Sequence, residues 1–133
     1  MTSKNLLALD IGERRIGVAK GDTGVRLAIP LTTLMVDGTE IERIRQLVED
    51  ERVAVLVIGY PRNQSGEPTA QTEYVENVAA ALKGFAPSLV FQDESLTSVL
   101  AEQRLKASGR VYSKGDIDAE AATLILQDYL ELL

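Results

Sequence analysis

Residues 53–58, Val-Ala-Val-Leu-Val-Ile, form an uninterrupted apolar run in which four of the six residues are β-branched. Such a run is typical of a strand that is covered on both faces, and strands of this kind belong to parallel sheets packed between helices. We therefore expect a central strand here, parallel to the first strand of the chain. With 133 residues, the chain is long enough for a core of its own, and we expect a single domain spanning 1–133.

The N-terminal part of the sequence predicts three antiparallel strands. An apolar run from residue 5 brings Asp10 to a turn at Gly12, and a second apolar run, 16–19, follows directly. The turn residues 21–24 come next, before a stretch rich in β-formers that extends from Val25 to Val36 and is interrupted by Pro30. The first two runs form a hairpin that places a carboxylate at the inner edge of the core.

The rest of the chain alternates between helical and strand periodicity. Helices are predicted over 39–51, 69–83, from 97 or 98 to about 107, and 117–132, with a short strand over 88–91. Thr39 and Asp116 are the expected N-caps of the first and last helices. The order β-β-β-α-β-α-β-α-α indicates an α/β fold: a five-stranded mixed sheet with three antiparallel N-terminal strands, two parallel strands and helices on both faces.

The composition restricts the available chemistry. The sequence has no Cys and no His, which excludes disulfides, thiol nucleophiles, His acid–base catalysis and the usual zinc ligand sets. Catalysis would have to use carboxylates, Lys, Arg, Ser, Thr or Tyr. No stretch approaches the roughly 20 apolar residues of a membrane span, so we expect a cytoplasmic protein without a membrane partner.

The distribution of charge is more informative than its total. The net charge of −6 argues mildly against general nucleic-acid binding, which depends on phosphate neutralisation. However, residues 1–30 carry five Lys and Arg against three acids and 95–115 carry four against one, whereas 37–51 carry two against six and 116–133 none against five. Such an uneven distribution is compatible with one basic face.

Three acids lie where a site could form. Asp10 ends the first strand, Glu94 follows the last strand, and Asp118 lies in the first turn of the last helix. If the first, fourth and fifth strands are neighbours, Asp10 and Glu94 emerge at the same edge of the sheet. Ala121 and Ala122, one turn beyond Asp118, are small enough to let that helix approach the sheet. The alternative is three unrelated acids, since acids are also favoured at helix N-termini by the helix dipole.

Converging carboxylates without His or Cys suit hard cations that prefer oxygen, namely Mg²⁺ or Mn²⁺. Two such ions about 4 Å apart can activate water on one side of a phosphodiester and stabilise the leaving oxygen on the other. A shared site of these three acids would therefore indicate phosphodiester hydrolysis. Residues 59–68, a polar loop after the central strand, lie where open α/β sheets bind ligands, although they could also be a plain connector.

Four blocks of the sequence resemble the bacterial YqgF/RuvX family. The first block fits the family's opening D-x-G-x-x-R-x-G-x-A signature, and the other three follow in order at spacings similar to those of the family. They are Leu9-Asp-Ile-Gly-Glu-Arg-Arg-Ile-Gly-Val-Ala19, Val57-Ile-Gly-Tyr-Pro-Arg-Asn-Gln-Ser-Gly66, Asp93-Glu-Ser-Leu-Thr-Ser98 and Asp118 to Leu130. Together they span nearly the whole chain.

The resemblance implies an RNase H-like fold, which agrees with the predicted element order. It also implies that Asp10, Glu94 and Asp118 are catalytic acids that hold a two-ion site of Mg²⁺ or Mn²⁺. Members of the family are described as Holliday junction resolvases and as nucleases that mature the 5′ end of precursor 16S ribosomal RNA. We expect a nuclease of ribosome biogenesis acting on structured RNA, with resolution of branched DNA as the alternative.

One departure from the family concerns contacts with nucleic acid. The family usually has Arg after the catalytic Glu, whereas this chain has Ser95, so one phosphate contact is expected to be lost or moved. Tyr112 could stack on a base or simply pack, and the basic region around 104–114 could instead be a solvated face. The substrate-binding candidates are Arg14, Arg15, Lys20, Arg62, Asn63, Thr97, Arg104, Tyr112 and Lys114.

Two other classes of function are open to a chain with these features. An actin-like ATPase also uses a D-x-G hairpin, but it needs a second lobe for which 133 residues leave no room. A catalytically silent adaptor that binds RNA or protein is compatible with the loss of Arg at Ser95. A resolvase would need a symmetric dimer for paired cuts, and the sequence identifies no dimer face, so a monomer and a homodimer both stay open.

Overall fold

The computed structural model describes residues 3–61, 69–94 and 97–133, with the backbone alone described for 94 and 97–99. In chain order, its elements are β1 (Asn5–Ile11), β2 (Arg15–Asp22), β3 (Ile29–Met35), α1 (Glu40–Asp50), β4 (Val53–Pro61), α2 (Ala70–Leu82), β5 (Ser88–Glu94), α3 (Thr97–Ala107) and α4 (Lys114–Glu131). This is the predicted order of strands and helices. No helix in the described ranges is both long and apolar enough to cross a membrane.

The strands form one mixed sheet in the order β3-β2-β1-β4-β5. β2 is antiparallel to both β1 and β3, whereas β4 is parallel to β1 and β5. The predicted sheet is therefore confirmed, including the adjacency of the first, fourth and fifth strands. The apolar run in β4 lies between two parallel neighbours, and residues 56–58 are fully buried.

Helices cover both faces of the sheet, as predicted. α1 and α2 cover one face, where they pack against odd-numbered residues of β1 and even-numbered residues of β2. α4 covers the other face, and α3 packs against α4. The core on the α4 face contains Leu6, Ala8, Ala19, Val55 and Val57 of the sheet and Ala122, Ile125, Leu126 and Leu130 of the helix.

Strands β4 and β5 each extend three residues beyond their predicted ends, so residues 59–61 of the predicted loop belong to β4. The predicted starts of β3 and α4 are wrong because short polar side chains bind the backbone locally. β3 begins at Ile29 instead of Val25, since the Asp22 carboxylate accepts hydrogen bonds from the N–H groups of Gly24 and Val25 at 2.8 and 2.7 Å. α4 begins before Asp116, because Ser113 is its N-cap. The Ser113 hydroxyl accepts from the Asp116 N–H at 3.2 Å, and the Asp116 carboxylate accepts from the Ser113 N–H at 2.8 Å.

Thr39 is the N-cap residue of α1, as predicted, but its side chain makes no capping hydrogen bond. Instead, the Thr39 hydroxyl donates to the Asp37 carboxylate at 2.6 Å. This hydrogen bond is the main reason why the pKa of Asp37 lies below its usual value, with a further contribution from the Thr39 N–H.

Candidate active site

The strand register places Asp10 on the face of the sheet covered by α4. Leu6 and Ala8 pack in the core on that face, and Asp10 continues their alternation along β1. Asp10 is paired across the β1–β2 ladder with Gly17, and directly paired residues share a face. The half-buried Asp10 therefore lies beside the point where Gly17 meets the helix.

Gly17 sets how closely α4 approaches the sheet. A Cβ at this position would lie 1.9 Å from the backbone oxygen of Asp118 and 2.9 Å from the backbone nitrogen of Ala119. The helix backbone thus rests on the strand backbone, with Ala121 and Ala122 fully buried behind the contact. The predicted close approach of the last helix is confirmed, with the contact itself at Asp118 and Ala119, and it brings the first turns of α4 to the carboxyl-terminal part of β1.

Asp118 is held at this point by Arg15. The Arg15 Nε atom lies 2.5 Å from the Asp118 Oδ2 atom, and 30% and 21% of the two side chains are exposed. Arg15 is two residues before Gly17 on β2, so both residues belong to the α4 face of the strand. A charge-assisted hydrogen bond of this kind compensates a half-buried carboxylate.

The backbone of Glu94 lies at the same edge of the sheet as Asp10. Glu94 is the last residue of β5 and is paired with Pro61 of β4, while Ile58 of β4 is paired with Leu9 of β1. Since the three strands are parallel, their carboxyl ends share one edge. The Glu94 side chain lies outside the described residues, so its part in the site stays a prediction.

The described part of this edge offers oxygen ligands. Among the residues whose side chains are described, no group of three or more His, Cys, Asp or Glu is close enough to hold a metal, and Glu94 is not in that set. Asp10 and Asp118 are both carboxylates on the α4 face, and this donor chemistry fits Mg²⁺ or Mn²⁺. A cation bound there would compete with Arg15 for Asp118.

The predicted substrate contacts on β2 separate into two places. Arg14 is exposed in the turn before β2, next to Arg15, and lies near the carboxyl edge. Lys20 is paired with Leu7 near the opposite end of the ladder. Its Nζ atom lies 3.6 Å from a carboxylate oxygen of Glu51, a residue that precedes β4. The structure therefore does not bring Lys20 to the edge that carries Asp10.

The predicted contacts of the C-terminal part lie around the α3–α4 junction. Arg104 pairs with the nearly buried Glu120 of α4, with 3.1 Å between Nε and Oε1. The half-buried Tyr112 donates a hydrogen bond to Glu102 at 3.3 Å, which favours packing over base stacking. Lys114 is exposed at the start of α4. The other predicted contacts, Arg62, Asn63 and the Thr97 side chain, lie outside the described residues.

The sequence reasoning missed two features of the site. It did not identify Gly17 as the point where the backbone of α4 contacts β2. It also treated Arg15 only as a substrate contact and missed its ion pair with Asp118. The sequence did contain a signal for both features. Arg15, Gly17 and Ala19 occupy every second position of β2 and therefore share one face, and Gly17 leaves room on that face for the backbone of a helix.

The sheet order, with α4 packed across one face and carboxylates at the edge, defines the RNase H-like class of folds, to which resolvases belong. Two solved structures share this fold. The Thermus thermophilus RuvC in complex with a Holliday junction matches with a TM-score of 0.56 and 13% identity over 97% of this chain and 94% of that one. The Fowlpox virus resolvase matches with a TM-score of 0.58 and 12% identity over 96% and 97%. At these identities the likeness shows the fold.

The family follows from the sequence itself. The model of the family RuvX, described as Holliday junction resolvase, matches residues 4–132, and the chain therefore belongs to the RuvX family. A relative from Chloroflexus aurantiacus is 44% identical over 98% of this chain and 89% of its own length. Another from Synechocystis is 40% identical over 95% and 86%. Both carry the name of a proposed pre-16S rRNA nuclease. The family resemblance seen in the sequence is thus confirmed.

Proposed function

We propose that this protein is a metal-dependent nuclease that processes the 5′ end of precursor 16S ribosomal RNA. The single observation that carries the proposal is the convergence of Asp10 and Asp118 at the edge where α4 rests on Gly17. Gly17, the ladder partner of Asp10, carries the backbone contact with Asp118, so two acidic residues from opposite ends of the chain are fixed next to the same glycine, which supports a rigid site. The names of relatives 40–44% identical to this chain support pre-16S rRNA as the substrate.

Asp10, Asp118 and Glu94 are the residues that would hold Mg²⁺ or Mn²⁺. When bound, the metal supplies activation of water and charge stabilisation at the phosphodiester. The chain's own contribution is to fix the carboxylates. β1 holds Asp10, and the contact between α4 and Gly17 holds the backbone of Asp118. Glu94 would be held by its place at the end of β5.

Cations around this edge would bind the nucleic acid. Arg14 is exposed beside the site, and Lys114 is exposed in the first turn of the helix that carries Asp118. Arg110 is a further exposed cation in the loop before that helix. Phosphates are bound mainly through such charges, whatever the sequence. Arg104 contributes less positive charge than the sequence suggested, because Glu120 neutralises it.

The second candidate function is resolution of four-way DNA junctions. The printed description of the matching family and the fold shared with two resolvases favour it. Paired symmetric cuts would require two copies of the site related by a two-fold axis. The two candidates therefore differ in substrate and in assembly, and both differ from a silent adaptor, which would cut nothing.

The test offers wild type and Asp10→Asn the same set of substrates: precursor 16S RNA, a four-way DNA junction, single strands and plain duplex. Each is incubated with Mg²⁺, Mn²⁺ or EDTA. Asp50→Asn is the matched control, because it removes an exposed acid on α1, which covers the opposite face of the sheet. Thermal unfolding of each variant shows whether the fold is retained.

We expect metal-dependent cutting of the precursor RNA by wild type and Asp50→Asn, and none by Asp10→Asn. Preferential cutting of the junction would favour the resolvase instead. If wild type cuts no nucleic acid with either metal, or if Asp10→Asn cuts as well as wild type, the proposed mechanism is wrong.

A further inference from the structure

The ion pair between Arg15 and Asp118 joins residues 103 positions apart in the sequence. Its two atoms lie 2.5 Å apart, and both side chains are more than two-thirds buried. Arg15 therefore occupies one oxygen of a carboxylate that the proposed function needs as a metal ligand. A guanidinium does not lose its proton in proteins, so Arg15 stays positively charged whenever a metal ion approaches.

The two partners differ in their freedom to move. The backbone of Asp118 rests on Gly17 and cannot come closer to the sheet. The backbone of Arg15 lies in β2 and is paired with Met35 of β3. However, the long Arg side chain has several rotatable bonds, and about a third of it is already exposed. When two positive charges compete for this carboxylate, the movable partner is the guanidinium.

We propose that Arg15 is a positioning residue that holds Asp118 in the metal-free protein and is displaced from it by the divalent cation. This inference rests on the proposed function. Once displaced, the guanidinium is at the mouth of the site, where its planar fork suits a phosphate group of the nucleic acid. Metal binding and nucleic-acid binding then favour each other, because each takes one partner of the ion pair.

The same pair explains how the acids coexist before metal binds. Asp10 lies on the face of the sheet that α4 covers, and Asp118 lies in α4 next to the ladder partner of Asp10, so two negative charges belong to one region of the protein. Arg15 supplies a positive charge there and holds the Asp118 carboxylate in place without a metal ion. Arg43 of α1 forms an ion pair with Asp37 on the opposite face of the sheet, and Arg15 and Arg43 therefore provide a matched comparison.

The first measurement is calorimetric titration of Mn²⁺ into the nucleic-acid-free protein. We expect Arg15→Gln to bind Mn²⁺ about tenfold more tightly than wild type, a difference of about 1.4 kcal/mol, because the metal no longer has to displace a cation. Arg43→Gln should bind Mn²⁺ as wild type does, because α1 covers the opposite face of the sheet. In binding assays with non-cleaved RNA, Arg15→Gln should show a smaller gain in RNA affinity on addition of Mg²⁺ than wild type. A purely structural Arg15 would instead weaken Mn²⁺ binding when removed.

The second measurement follows the Arg15 Nε–H by NMR, with the signal assigned by its loss in Arg15→Gln. We expect slow exchange with water in the metal-free protein and fast exchange after saturation with diamagnetic Mg²⁺. An Nε–H that stays protected in Mg²⁺ would overturn the inference, as would equal Mn²⁺ affinity of wild type and Arg15→Gln. If wild type still cuts RNA in that case, the proposed function stands. If wild type neither binds Mn²⁺ nor cuts, both fail.

Discussion

Replacing Gly17 with Ala tests whether the contact between α4 and β2 builds the site. The added Cβ would lie 1.9 Å from the Asp118 carbonyl oxygen, so the helix must retreat by about 1.5 Å to restore an ordinary contact of 3.4 Å. Neither neighbour is a flexible side chain, because both contacting groups belong to the backbone. The strain cannot be relieved by a change of rotamer.

The retreat has a cost in stability and a cost in activity. Overpacking a core costs about 1–3 kcal/mol, and we expect the upper end, because the shift also loosens Ile125 and Leu126 against the sheet. For a chain of this size, 3 kcal/mol lowers Tm by about 12 °C. A displacement of about 1 Å at a catalytic group costs on the order of a hundredfold in rate, so nuclease activity should fall at least that far at temperatures where the variant is folded.

Gly115→Ala is the matched control. Gly115 lies in the first turn of α4, and a Cβ there would have its nearest neighbours at 3.6 and 3.7 Å, which are ordinary contacts. Ala is also the better helix former by up to about 1 kcal/mol, so this variant should be as stable as wild type or slightly more so. The assays are calorimetric unfolding and initial cleavage rates. A Gly17→Ala protein with wild-type Tm and wild-type rate would refute the reasoning.

Two further predictions concern the C-terminal end of α4. Arg26 has a positive φ of 60° and donates hydrogen bonds to the carbonyl oxygens of Leu130 and Leu133. Arg26→Ala should therefore lower the free energy of unfolding by about 1–2 kcal/mol. Arg26→Gly should be about 1 kcal/mol more stable than Arg26→Ala, because Gly adopts positive φ without strain. Equal denaturation midpoints for the two variants would contradict this. The pKa of Asp128 is raised by burial and, secondarily, by the charge of Glu131, so the folded protein holds this proton more tightly than the unfolded chain and ionisation at neutral pH costs stability. Asp128→Asn should thus raise the free energy of unfolding at pH 7 by less than about 0.5 kcal/mol, since the side chain is largely solvated, and this appears as a slightly higher Tm. The gain should vanish as the pH falls below the usual carboxyl range; a gain that grows with acidity would show that the sign is wrong.

The sheet was predictable because its signals are local and redundant. The β-branched run in β4 requires cover on both faces, and only a central position in a layered fold supplies it. The small side chains at 121 and 122 indicated that the last helix could lie close to the sheet; both are fully buried, and the helix makes its close contact at Asp118 and Ala119. In both cases, a few consecutive residues are enough to indicate how the segment must pack.

The errors have two different origins. The starts of β3 and α4 were misplaced because Asp22 and Ser113 bind nearby N–H groups. Both are short-range patterns. The S-x-x-D spacing that caps α4 can be recognised in the sequence. By contrast, the pairing of Arg15 with Asp118 depends on where α4 packs on the sheet. The small residue Gly17 on the same face of β2 marks the contact point, but the sequence does not specify which residue of α4 contacts it.

The described structure fixes the positions of some predicted site residues and not of others. The positions of Asp10 and Asp118 follow from register and packing in the described structure. Glu94 is placed by its backbone alone. Its role was inferred from a strand end and from the family resemblance, and it stays a prediction together with the roles of Arg62, Asn63 and Thr97.

The hydrogen bonds between α4 and the N-terminal part of the chain determine when the candidate site can form during synthesis. Thr33 of β3 donates a hydrogen bond to the Gly115 carbonyl at 2.6 Å, and Arg26 binds the other end of the helix. Translation therefore delivers Asp10 and Arg15 long before the helix that completes the site. While α4 is still inside the ribosome, the hairpin carries an acid without its partners. Under the proposed function, competence for catalysis would therefore arise only once α4 has emerged and docked.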